Sequence, residues 1–139
     1  MWFNLQDIID EYCEESLPLN DSNQNNIDKV EKNLKSAEML VRGYLEKALI
    51  FDYDDNGNEI PLAQNQIDFI REPTLTIARY FFSDKTTGEG SIIVKRYESS
   101  ISMLNKIANG EISFPKNPIV ETKTNSLFFN VNIIRSWYA

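Results

Sequence analysis

The stretch "IDKVEKNLKSAEMLVRGYLEKA", residues 27–48, decides the architecture. Ile27, Val30, Leu34, Ala37, Val41, Tyr44 and Ala48 recur at steps of three and four, which puts them on one face of a long helix over about 26–49. A polar loop rich in capping side chains, "NDSNQNN" (20–26), precedes it. Three further helices are expected around this one. Asn4 can cap a short first helix, "LQDIIDEYCEES", with Leu5, Ile8, Ile9 and Tyr12 on one face, ending before Pro18. Asn65 can cap a third, in which Ile67, Ile70, Thr74, Ile77 and Phe81 keep the helical step and Leu75, Ala78 and Phe82 are buried in its second half. Pro73 lies inside it, so the pattern predicts a kink there, or a short turn followed by a new helix. "TTGEG" is a loop. The fourth helix spans about 90–109, carried by Val94, Tyr97, Ile101, Leu104 and Ala108, and Gly110 is placed to end it in a left-handed cap.

Beyond Gly110 the pattern changes. Pro115 and Pro118 break any helix, and "NSLFFNVNII" puts Leu127, Phe129, Val131 and Ile133 on one side, which is strand alternation. The fold class expected is therefore mainly α: a small domain of about four helices with a short hairpin or loop insertion at about 50–62 and an extended, β-like C-terminal arm. The helical body takes residues 1–114 and the arm 115–139.

The insertion contains "DYDDNGNE", residues 52–59, which invites comparison with a calcium loop. Such a loop wants oxygen ligands at positions one, three and five, glycine at six and a bidentate glutamate at twelve. Asp52, Asp54, Asn56 and Gly57 meet the first four demands, but the twelfth position is Ala63 and the eighth, usually apolar, is Glu59. A turn explains more. Asn56-Gly57 is the preferred pair for a two-residue hairpin. That register sets Phe51 against Leu62 and Tyr53 against Ile60 on one side, with Asp54 opposite Glu59 on the other. No metal site is expected. A calcium-responsive binding module using this loop is the alternative.

Composition narrows the function classes. The 139 residues suit one domain. A net charge of −7 argues against nucleic-acid and anionic-membrane binding. The charge is uneven: residues 115–139 carry +2 and the rest −9. No run of about 18 apolar residues is present to span a membrane. The opening "MWFNLQDIID" has no basic region before an apolar run, so no signal peptide is expected. A single cysteine fits a reducing, cytoplasmic setting. Histidine, the commonest general base, is absent. Cys13 sits among Glu11, Glu14 and Glu15, whose charge opposes thiolate formation. No phosphate-binding glycine loop is present. Neither an enzyme nor a cofactor is expected.

The order of segments is distinctive. Tyr44 and Leu45, then Pro61 and Leu62, then Ile77 to Tyr80 near a helix end, then Arg96 and Tyr97, Leu104, and finally Ile107, Ala108 and Gly110 follow one another. With the ending "FFNVNIIRSWY", this succession resembles the Mu-type prophage head–tail connector family, over nearly the whole chain. The chain departs from it where "DYDDNGNE" lengthens the loop before Pro61, where Thr76 replaces a frequent aspartate, and at Pro73. The resemblance implies a virion structural protein, an adaptor or head-completion subunit without catalysis, made in the host cytoplasm and built into the virion neck. It implies a homo-oligomeric ring, twelve-fold to match the portal protein, with the portal and a neighbouring neck or tail protein as partners. A component in another layer of the neck or tail is compatible with the same resemblance. Phe128, Phe129, Ile133, Ile134, Trp137 and Tyr138 in the arm are the expected partner-binding residues, since aromatic and apolar side chains of this kind anchor interfaces.

Overall fold

A computed structural model describes residues 1–12, 24–82 and 92–118. These residues form four helices, α1 (Leu5–Tyr12), α2 (Gln24–Lys47), α3 (Gln64–Phe82) and α4 (Ile92–Ala108). No strand occurs among the described residues, only one isolated antiparallel bridge between Tyr53 and Glu59. The mainly α expectation holds. The alternating segment at 127–133 and Cys13 lie outside the described residues.

The helix ends follow local rules. Asn4 Oδ1 accepts the Asp7 N–H at 3.0 Å while Asp7 Oδ2 accepts the Asn4 N–H at 2.8 Å, a reciprocal cap that starts α1. At the far end of α4 the Gly110 N–H reaches the Ile107 carbonyl and the Glu111 N–H the Lys106 carbonyl, with Gly110 at φ +80°. Two carbonyls that the helix leaves open are thereby satisfied. The end of α2 uses the same pair of bonds, Leu49 to Glu46 and Ile50 to Leu45, but a leucine occupies the left-handed position, φ 58°. A side chain with a Cβ is strained there.

Helix α3 is the centre of the body, packed against α2 and α4, which also touch each other, with α1 against both α2 and α3. Six consecutive residues, Pro73 through Ala78, are buried, so this part of α3 has no solvent face. The kink or break expected at Pro73 does not divide the helix, which is a single element from Gln64 to Phe82. Proline withholds one N–H and crowds the turn before it, at a cost of about 3 kcal/mol. Leu75 and Ile77 alone, fully buried, each return about 1.5–3 kcal/mol. Packing thus outweighs the local preference. The core joins these residues to Ile8, Val30, Leu34, Ala37, Val41, Leu45, Ile70, Leu104 and Ile107.

The start of α3 differs from the sequence reading. Ala63, not Asn65, holds the cap position, its carbonyl accepting the Gln66 and Ile67 N–H groups. Gln66, three residues on, returns a bond through Oε1 to the Ala63 N–H at 3.0 Å.

Candidate functional site

The six arm residues expected to bind partners, Phe128, Phe129, Ile133, Ile134, Trp137 and Tyr138, lie outside the described residues. The segment where that arm begins is described, and it lies on the start of α3. Gln66 Nε2 donates to the Pro115 carbonyl at 3.0 Å and Asn65 Nδ2 to the Lys116 carbonyl at 3.0 Å. Asn117 Nδ2 donates to the Pro61 carbonyl at 3.3 Å, and the Phe69 and Phe114 rings meet edge to face at 5.5 Å. Gln66 and Asn117 are both buried, so their two bonds are partly shielded from water, while the Asn65 bond is exposed.

The 52–59 stretch is a turn, with a register one residue away from the expected two-residue hairpin. Tyr53 pairs with Glu59 rather than Ile60. The Gly57 N–H closes on the Asp54 carbonyl at 3.0 Å, and the Asp54 N–H reaches the Asn58 carbonyl at 2.8 Å. Only Gly57 has positive φ in the turn, where a two-residue hairpin needs it at Asn56 as well. The cause is the Asp54 side chain, whose Oδ1 accepts the N–H groups of Asn56 and Asn58, both at 2.9 Å. Aspartate at the first place of such a turn is favoured for this reason. A one-residue shift moves side chains to the other face. Tyr53 consequently stands 62% exposed instead of facing the body. Glu59 does not oppose Asp54 but bonds Arg42, which also bonds Glu46 at 3.0 Å and lies over the Phe51 ring at 4.4 Å. No group of three or more carboxylate, cysteine or histidine side chains among the described residues is arranged to hold a metal ion.

The aromatic residues of the resemblance come together elsewhere. Tyr80, at the end of α3, stacks on Tyr97 of α4 with centroids 3.9 Å apart, and Phe81 lies 6.3 Å from Tyr97. Burial pushes the Tyr97 phenol up, and Tyr80 and Tyr44 add to the shift. The motif tyrosines at the end of α3 and the start of α4 therefore pack directly on each other.

Beside this corner runs an open groove between the second half of α3 and the first half of α4. Glu72, Pro73, Thr76, Lys95, Arg96 and Met103 line one depression of about 360 Å³. A second of about 360 Å³ adjoins it through Thr76 and Arg96 and extends to Tyr12 and Arg79. Tyr12 and Thr76 share a hydroxyl bond of 2.9 Å at its floor, and burial raises the Tyr12 phenol. The sequence reading quoted Arg79 only inside the Ile77–Tyr80 motif and did not single out Lys95. No local pattern could have done so, because three helices supply the lining.

A further residue escaped the sequence. Glu38 reads as a solvated helix carboxylate, yet it is buried on α2 and accepts the Phe3 N–H at 2.8 Å. Burial holds its carboxyl above the usual value. With Arg71 bonded to Asp7 at 3.0 Å, it fixes the N-terminal segment across the helices. Trp2 in turn stacks on Phe51.

The family described as "Bacteriophage Mu, Gp36" matches residues 3–129. No curated protein and no solved structure matches the chain. None of the described helices is long and apolar enough to cross a membrane.

Proposed function

The chain belongs to the Bacteriophage Mu Gp36 family of phage proteins, and from that premise we propose that it is a non-catalytic subunit of the head–tail connector, forming a ring between portal and tail. The observation that carries the reading is the extent of the match, which covers the whole helical body and reaches into the aromatic arm at Phe128 and Phe129. Two physical features support it. A net charge of −7 suits the wall of a channel through which DNA passes, since acidic groups repel phosphates and leave the duplex free to slide. Leu49 and Tyr53 are also exposed on the loop between α2 and α3, as residues that expect a neighbour would be. On this reading the protein is made in the host cytoplasm and ends in the virion neck. The portal protein and the next neck or tail protein are its partners, and the arm residues Phe128, Phe129, Ile133, Ile134, Trp137 and Tyr138 dock on one of them.

Quantitative mass spectrometry of particles induced from the source strain tests this. Copies equal in number to the portal protein are expected. Absence from intact particles would retire the connector role and leave only membership of the phage family.

A further inference from the structure

We propose that the acidic turn at residues 52–57 of one copy seats in the Arg79–Arg96 groove of the next, so that copies join head to tail. The inference rests on the ring reading above and names its subunit contact.

The groove supplies the basic half. Arg79, Lys95 and Arg96 line it, and none of the three forms an ion pair among the described residues. Glu11 and Glu72 also line it, so its excess positive charge is small and local. Ile92, 62% exposed, adds an apolar contact in the second depression.

The turn supplies the acidic half. Asp54 and Asp55 are exposed and Asp52 half-buried, with no basic residue between Leu49 and Glu59; Asp54 Oδ1 is engaged within the turn and Glu59 by Arg42, which leaves Asp55 the most open carboxylate. Beside them stand Leu49, 87% exposed, and Tyr53. Leu49 is held in a left-handed conformation at φ 58° with nearly all of its side chain in water. The bonds that close α2 offset part of that strain, but the exposed Leu49 side chain gains no burial among the described residues. Cover from a second copy would supply it, with the aspartates steering the approach and fixing register.

Position decides between a contact within a copy and one between copies. The turn precedes Gln64, and the groove starts at Glu72, about 12 Å further along α3 at 1.5 Å per residue. Within one copy no residue of the turn lines either depression. Because two different surfaces meet, the contact repeats head to tail and closes into a ring when the rotation allows.

Cysteine cross-linking of the full chain tests the proposal. In a Cys13→Ser background, Asp55→Cys and Ser99→Cys chains are mixed under mild oxidation. Covalent mixed dimers are expected, at a yield several-fold above that of an Asp55→Cys and Lys35→Cys pair. A chain carrying both Asp55→Cys and Ser99→Cys is expected to give a ladder of oligomers. Adding Arg96→Glu, which sets like charges face to face, should lower the yield by about tenfold. Mixed dimers no more abundant than the control pair, or a link closed within one chain, would overturn the contact. Particle composition separates this failure from that of the connector role. Portal-matched copies without the link would retire the contact and keep the role, while a link in a chain missing from particles would do the reverse.

Discussion

The two ends of α3 have been treated differently. At its start every side-chain amide in reach is tied: Gln66 holds both Ala63 and Pro115, Asn65 holds Lys116, and Asn117 crosses back to Pro61. Towards its far end lies an open groove in which Arg96 joins Arg79 in one depression and Lys95 in the other, with Glu11 and Glu72 also in the lining but no acidic partner bonded to the three cations among the described residues. Satisfied, buried amides hold a fold together. Open, unpaired charges contribute little to folding and remain free for recognition. The contrast separates the part of the helix that makes the body from the part proposed above to meet a second copy.

Substitutions break or sharpen that contrast. The largest effect is expected at Leu75, fully buried between the two ends, where alanine should cost about 2–5 kcal/mol in urea unfolding. A loss under about 1 kcal/mol would mean that the core is not centred on α3. At the tied end, Gln66→Leu strands the Ala63 N–H and the Pro115 carbonyl and should cost about 1–3 kcal/mol. An unchanged midpoint would show that water replaces the amide. Thr74→Val should go the other way. The Thr74 hydroxyl is buried without a hydrogen-bond partner among the described residues, so its removal should stabilise by about 1 kcal/mol.

The tie at Glu38 is read through pH. Its carboxyl is raised above the ordinary 4.5 by burial, so the folded protein holds that proton more tightly than the unfolded chain. The stabilising contribution is full below 4.5 and is lost as pH rises through the raised value. Urea midpoints should therefore show wild type gaining on Glu38→Gln as pH falls from neutrality towards 4.5. A difference constant with pH would contradict the burial. At the open end, Arg96→Ser should leave the midpoint within about 0.5 kcal/mol. A larger loss would make the groove part of the folding machinery rather than a surface for a partner.

What the sequence showed and what it hid divide by range. The Asn4 cap, the left-handed Gly110 and the apolar stripe of α2 were legible because each obeys rules acting within a turn or two. Pro73 misled because its local cost is real, and only the burial of Pro73 and the five residues after it shows why it is borne. The turn at 52–59 was placed one residue out because the dipeptide Asn56-Gly57 points one way and the Asp54 carboxylate, bonding two backbone groups, points the other. Glu38 looked like any solvated carboxylate until an N–H from residue 3 was placed against it. Of the candidate groove, Arg79 and Arg96 were quoted only as parts of motifs. The neighbours of Arg96 arrive from α1 and α3, and no spacing within one segment records that.

The bonds at the start of α3 also have a mechanical meaning. Force applied to the chain beyond Pro118 does not pass first into α4. It meets Asn117 on the Pro61 carbonyl, then Lys116 and Pro115 on Asn65 and Gln66, then the Phe114 ring against Phe69. These contacts share a load between the loop before α3 and its first turns, so tension is delivered to the central helix of the body. Whatever pulls on the C-terminal residues is anchored to the core before the last helix can be peeled away.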